Sequence, residues 1–410
     1  MIGLALASGV VALGMAWAIG AQDVSNALGT AVGSKAISVQ QAIVIGAVCE
    51  FAGALIGGDV AQTISKGIVN PELTGSMMIY CQIMFCTLFG AFVWLAIATK
   101  YALPVSTSHS LVGSLLGLGL IACPQALNSN VLSTVIASWL VSPTAGAIIS
   151  FMIFYIINRF ILQTKFPLRS ARNLIPYFWG FTVSVLTAFS TLAGPSEFRL
   201  SPHLSFACAV FMFVVATAVA SRMPDLREKT TLDLADEDDT TEKAEALFIR
   251  LMIVTACVVS FAHGSNDVSN SIGPFAAIIE VYQSGSTSAK DPIPLWILVF
   301  GGFGIVLGLA TYGYKVMATI GEKITKLTYS RGFAAQIATA LTVLTASVLG
   351  LSVSTTHCLI GAIAGLAMVE GNDKVNKGTL KRIAVSWVVT LPASATFSLI
   401  VFGFTKVSPI

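Results

Sequence analysis

Charged side chains are scarce in this chain: Asp, Glu, Lys and Arg together make 10% of its 410 residues, against roughly a quarter in soluble domains. That scarcity excludes an ordinary water-soluble globule, and a mean hydropathy of +0.83 places the chain among polytopic membrane proteins. Histidine is rarer still, with four. Seven cysteines lie scattered through apolar segments with no CxxC and no zinc-ligand spacing, so they read as small core residues and point to no metal cluster. No basic segment precedes the first apolar run. That run therefore reads as a membrane span and not as a secretory leader.

Long hydrophobic runs are abundant. They cover 2–20, 39–57, 75–99, 106–122, 131–157, 174–193, 203–221, 248–263, 294–313, 332–350, 354–369 and 379–404. A span needs about 20 mostly apolar residues, so an all-α membrane fold with about 12 transmembrane segments is expected. The runs at 106–122 and 354–369 are short and begin with hydroxyl residues, as re-entrant half-helices do. The stretch Arg222–Leu247 holds nine of the twenty acids, including Asp236-Glu237-Asp238-Asp239, and reads as a solvated linker. Arg159, Lys165, Arg169 and Arg172 cluster between spans, which puts that loop and the linker on the cytoplasmic side.

Two polar motifs each occur twice. Gly20-Ala21-Gln22-Asp23-Val24-Ser25-Asn26 returns as Gly264-Ser265-Asn266-Asp267-Val268-Ser269-Asn270, and 267 minus 23 is 244. Pro104-Val105-Ser106-Thr107-Ser108-His109 returns as Ser352-Val353-Ser354-Thr355-Thr356-His357, and 354 minus 106 is 248. Gly113/Gly117 match Gly361/Gly365, and Ser138-Trp139 matches Ser386-Trp387, at the same offset of 248. Small residues four apart let helices approach closely. Counting spans from the cytoplasmic loop gives the two copies opposite orientation, the inverted-repeat layout of secondary transporters. The expected division is a first repeat over 1–158, scaffold spans over 174–221, the linker over 222–247 and a second repeat over 248–405.

Asp and Asn at bilayer depth are costly, so the same set placed there twice points to a site built from two halves. Asp23/Asn26 and Asp267/Asn270 are three apart and share a helical face, with glycines and the Gly273-Pro274 step permitting a broken helix or close packing. The triplets Ser106-Thr107-Ser108 and Ser354-Thr355-Thr356 begin apolar helices. Capping would use one hydroxyl of each; three hydroxyls beside free backbone N–H groups form an anion cradle, aided by the helix dipole. A proton role is open for His109, His357 and His263, although Ile19 stands where a counterpart of His263 would be. No Arg or Lys falls inside either motif pair. A divalent oxyanion beside two aspartates then needs cations that enter with it, since uncompensated charge is expensive to desolvate. Hard oxygen ligands suit sodium, and protonated carboxylates could substitute. Glu50 is a further ionisable group at membrane depth, with an apolar counterpart around Val306. With Gln62, Thr63 and Gln336 it either helps an ion site or makes ordinary helix–helix hydrogen bonds.

The segments GAQDVSNALGTAVGSK, LPVSTSH, SFAHGSNDVSNSIGP, RGFAAQ and LSVSTTHCLIGA resemble the signatures of the inorganic phosphate transporter (PiT) family, over nearly the whole chain except the acidic linker. The resemblance implies cation-coupled uptake of inorganic phosphate, as a homodimer, across a prokaryotic plasma membrane or an organelle envelope. It also implies that Asp23, Asn26, Asp267, Asn270 and the two triplets line the phosphate and sodium sites. One departure is Gln22, where the family usually has Asn; a longer side chain would shift an ion site if it ligates and would be harmless if it packs. Glutamine in RGFAAQ, at Gln336, replaces a common Glu.

Sodium-coupled phosphate symport leads. Proton coupling, carriage of a metal–phosphate complex, and transport of another tetrahedral oxyanion such as sulfate stay open. An intramembrane hydrolase lacks any nucleophile–base or metal-ligand spacing, and a channel lacks a continuous polar lining. No cofactor beyond the transported ion, and no nucleic-acid partner, is expected.

Overall fold

The computed structural model describes residues 1–101, 103, 105–194, 199–226, 240–286, 292–314, 328–371 and 377–407; the side chains of 25, 26, 240, 370, 377–384, 406 and 407 fall outside that description. The run Asp236–Asp239 and Pro104 lie outside the described residues, as does the side chain of Asn26.

The described chain is helical, with one isolated bridge between Val69 and Leu127 as its strand-like pairing. In order come α1 (Ile2–Gln22), α2 (Val24–Gly33), α3 (Val39–Ala54), α4 (Gly58–Gln62), α5 (Met77–Lys100), α6 (Thr107–Ala122), α7 (Ser129–Ile157) and α8 (Pro167–Ala193). Then follow α9 (Pro202–Ala220), α10 (Thr240–Ala246), α11 (Phe248–Ser284), α12 (Leu295–Gly308), α13 (Tyr329–Val348), α14 (Thr355–Glu370) and α15 (Lys377–Val407). Polar caps start several of them: Ser38 closes a capping box with Gln41 at α3, Asn128 caps α7, and Ser106 and Ser354 cap α6 and α14. Interiors apolar on all faces identify helices buried in protein or lipid.

Eight helices among the described residues are long and apolar enough to cross a membrane, or nine if α3 and the Gly58–Gly67 segment, bent by 60°, form one broken span. The fold is therefore that of an integral membrane protein. Each of the twelve apolar runs falls on a helix. The Thr107–Ala122 and Thr355–Val369 helices are too short to span alone. Two boundaries move. The run at 174–193 extends back to Pro167, whose fixed φ suits a first helical position. Arg169 and Arg172 thus lie on the first turns of α8 and not in a loop. The run at 248–263 continues to Ser284, straight through Pro274.

Helices from the two copies of the duplication interdigitate. α1 packs on α12 and α11 on α3; α6 packs on α15 and α14 on α7. The approach is backbone to backbone: a Cβ on Gly20 would stand 1.9 Å from the Ile305 carbonyl oxygen, and one on Gly264 would stand 2.1 Å from that of Glu50. The matched glycines behave alike, Gly361 meeting the Pro143 carbonyl and Gly113 that of Leu391, where 143 plus 248 is 391. Ser150 donates to the Ala362 carbonyl at 2.6 Å, and its counterpart Ser398 to that of Ser114 at 3.5 Å. In lipid, where apolar contact brings no hydrophobic gain, such packing and hydrogen bonding hold helices together. Outside this frame α8 and α9 pack chiefly on each other, and Arg199 ties their junction to Asp59 at 2.8 Å.

Candidate functional site

Asp23 stands at the joint between α1 and α2, its backbone N–H still donating to the Ile19 carbonyl at 2.9 Å. Asp267 lies inside the unbroken α11, so the Gly273-Pro274 step expected as a break is instead helix interior. Membrane helices tolerate proline because neighbours satisfy the freed backbone groups. Both carboxylates are 1% exposed. Asp23, His263 and Asp267 bring their ligand atoms within 4.8 Å of one another.

The residue before each aspartate fastens residues ahead of a hydroxyl triplet. Gln22 donates to the carbonyls of Leu103 and Val105, both at 3.2 Å, and accepts from Thr99 at 2.9 Å. Asn266 donates to Ser347 and to the Leu351 carbonyl, both at 3.0 Å, and accepts from the Val353 amide at 3.2 Å. Thr99, Leu103 and Val105 plus 248 give Ser347, Leu351 and Val353. Gln22 thus does the work of Asn266 as a staple, and its extra methylene is used for reach.

Of the triplets, Ser106 and Ser354 accept the amides of His109 and His357 at 3.3 and 3.2 Å, as caps. The other hydroxyls turn inward. Thr107 hydrogen-bonds Asp23, and Thr355 donates to Asp267 Oδ2 at 3.1 Å. Ser108 donates to the Val353 carbonyl and accepts from Ser352, both at 3.0 Å. Asn270 donates to Thr107 and Ser108 at 3.3 and 3.2 Å and accepts from Ser352 at 3.3 Å. Thr356 is buried beside them. Two helix N-termini and two aspartates therefore meet in one buried network, with Asn270 of the second copy gripping the triplet of the first. Among the described residues, Asp267 Oδ1 has no hydrogen-bond partner, and an unsatisfied buried acceptor is costly.

Among the described residues, His263 is the basic group that reaches this network. Its Nε2 lies 3.0 Å from Asp267 and its Nδ1 3.1 Å from Glu50, both partners fully or almost fully buried. Neither residue has a polar counterpart: His263 minus 244 is Ile19, and at the matching helix crossing Ile305 takes the place of Glu50. Sequence spacing could not join them, because the contact comes from α3 of one copy crossing α11 of the other.

The remaining residues stand apart. Gln336 bridges helices, accepting from Thr255 at 2.7 Å and donating to Thr30 at 2.8 Å. Gln62 and Thr63 are half-buried beyond the 60° bend, where Thr63 faces the Asp59 carbonyl at 3.4 Å and abuts Gly350 before the second triplet. His109 and His357 stay out of the carboxylate cluster and pack against Trp139 and Trp387.

With the geometry in place, residues 19–398 match the sequence pattern described as the phosphate transporter family. The chain belongs to the phosphate transporter family. It is 40% identical over 398 residues to a Pyrococcus abyssi protein named "Putative phosphate permease", covering 96% of each chain. It is 39% identical to the inorganic phosphate transporter 2-1, chloroplastic, of Arabidopsis thaliana, covering 96% of this chain and 71% of that one. A solved structure titled "The sodium-dependent phosphate transporter" superposes with a TM-score of 0.91 at 38% identity, over 99% of this chain and all of the other. The family match and these relatives make the chain a permease and not an enzyme.

Proposed function

We propose that this phosphate transporter family member is a sodium-coupled symporter of inorganic phosphate. One observation carries the reading: two hydroxyl-bearing helix N-termini converge on two buried aspartates, with no guanidinium or ammonium of the described residues in their hydrogen-bonded network. Thr107, Ser108, Thr355, Thr356 and Asn270, with Ser106 and Ser354 at the caps, supply donors for a tetrahedral anion at positive helix ends. Asp23 and Asp267 supply hard oxygen ligands for sodium, and Asn26 belongs with them by its place in the motif. The charge bookkeeping supports co-transport: a divalent anion beside carboxylates at membrane depth needs mobile positive partners. The sodium dependence stated for the structural neighbour supports the choice of ion.

The two duplicated segments, 1–158 and 248–405, form the transport unit in opposed orientation, with 174–221 as scaffold and 222–247 as linker. The swapped helix pairs support that division. A homodimer follows from the family resemblance.

Proton coupling is the second reading, and His263 between Glu50 and Asp267 favours it. Uptake of radiolabelled phosphate into proteoliposomes separates the two. An inward sodium gradient at equal pH should drive accumulation, and sulfate should compete poorly. Accumulation driven by a proton gradient alone would replace the first reading by the second.

A further inference from the structure

The segment Gly58–Gly67 lies along the second polar motif as a piece set apart from α3. It leaves that helix at a bend of 60° and ends in a π-helical turn over Thr63–Gly67; such turns are rare and frequent at functional sites. A Cβ on Gly57, at the bend, would stand 2.6 Å from the Ser265 carbonyl oxygen, and one on Gly273 would stand 2.9 Å from the Ile64 side chain. Residues 57–64 therefore run beside Ser265–Gly273, the stretch that carries Asp267 and Asn270. Thr63 abuts Gly350 ahead of the second triplet, and Ile64 and Ser65 are buried.

The segment ends on the side away from the cytoplasm. The Ile68 carbonyl accepts from the Asn128 amide at 2.9 Å, and the Asn70 amide donates to the Ala126 carbonyl at 2.8 Å. Both partners stand just ahead of α7, whose other end leads to the Arg159 cluster of the cytoplasmic loop. An ion pair clasps the segment near each end. Lys66 Nζ lies 2.7 Å from Glu280 of α11, the two side chains 25% and 21% exposed. Arg199, at the α8–α9 junction, lies 2.8 Å from Asp59, the two 41% and 40% exposed. The Tyr80 hydroxyl adds a neutral tie to the Ser65 carbonyl. Water reaches both pairs, and pairs so placed are worth little each. They hold the segment without locking it.

We propose that Lys66 and Glu280, with Asp59 and Arg199, are positioning residues for transport: their two ion pairs hold Gly58–Gly67 as an outer lid beside the carboxylate cluster, and the pairs break when the site opens outward to phosphate. Gly57 and Gly58 at the bend supply the hinge, since a lid needs a few positions that absorb the change of backbone angle. Gly58 meets nothing there that a side chain would strike, so its place at the bend is not a packing demand. The inference rests on the phosphate reading above, which supplies the passenger.

The test follows Ser65, buried under the closed lid, as Ser65→Cys in the full chain in proteoliposomes. A membrane-impermeant maleimide is added outside, and its labelling rate is read above that of the chain with Ser65 intact. Adding Lys66→Met should speed labelling by about fivefold, the scale of one such pair. The exchange Lys66→Glu/Glu280→Lys rebuilds the pair with its charges reversed, and should bring the rate back to within about twofold of the unexchanged chain, on the same scale. Arg199→Gln should act in the same direction as Lys66→Met. Labelling unchanged by Lys66→Met overturns the proposal. An exchange that labels as fast as Lys66→Met also overturns it, because the effect would then come from disturbed packing and not from the clasp. If Lys66→Met fails to fold, Glu280→Gln, which keeps the side-chain shape, decides on the same terms. Absence of phosphate uptake by the wild type would sink the phosphate reading, and the labelling rates would still judge the lid.

Discussion

The two helix crossings at Gly20 and at Gly264 have the same backbone and opposite chemistry. Where α1 meets α12, Gly20 lies against the Ile305 carbonyl, and Ile19 and Ile305 are both fully buried in one apolar cluster. Where α11 meets α3, Gly264 lies against the Glu50 carbonyl, and the equivalent side chains are His263 and Glu50, 3.1 Å apart. The frame needs only the glycines, since both crossings close equally tightly. A buried ion pair brings little net stability compared with well-packed apolar residues. The Glu50–His263 contact reaches the shared aspartates through Asp267.

The largest effect should come from the aspartates that both crossings serve. Asp267→Asn and Asp23→Asn should each cut sodium-driven phosphate uptake on the order of a hundredfold, as loss of charged interactions in a buried site does, while size-exclusion profiles stay monodisperse. Next, His263→Ile alone strands Glu50 without its partner and should lower unfolding stability by about 3–5 kcal/mol. The double variant Glu50→Ile/His263→Ile copies the first crossing onto the second. Its thermal midpoint should return to or above that of the wild type, and its uptake should not recover. Recovered uptake would make the ion pair structural and end the comparison as drawn. A smaller effect is expected from Gln22→Asn, which loses reach to the Leu103 and Val105 carbonyls; about 1 kcal/mol of stability should go, with sodium dependence unaltered. An effect of similar size is expected from Gln336→Leu, at about 0.6 kcal/mol for each of its two interhelical hydrogen bonds. A changed sodium dependence there would return Gln336 to the ion site.

Much of this was legible in the chain. The paired motifs announced both halves of the site because Asp and Asn do not stand in apolar helices without cause. The Gly113/Gly117 and Gly361/Gly365 stripes announced close contact: Gly113, Gly361 and Gly365 meet a backbone carbonyl of the opposite copy, and Gly117 meets the Ala395 side chain. Ser106 and Ser354 used one hydroxyl of each triplet as the cap and left the rest for the site. What stayed hidden depends on which helix crosses which. Gln22 looked like a departure until its partners at Leu103 and Val105 showed a staple shared with Asn266. Glu50 and His263 have no symmetric mates, so repeat comparison weakened each of them, and only the crossing of α3 with α11 joins them. The unbroken α11 was equally hidden, because Gly273-Pro274 signals a stop in water and not in a packed membrane helix.

The central claim is that positive ions accompany phosphate into the Asp23–Asp267 cluster. Its most direct test is simultaneous counting of radiolabelled sodium and phosphate entering the same proteoliposomes, at symmetric pH, for the wild type and for Asp267→Asn. The account predicts that sodium entry requires phosphate, rises in proportion to it, and disappears with it in the variant. Phosphate accumulating in the wild type with no accompanying sodium would contradict it.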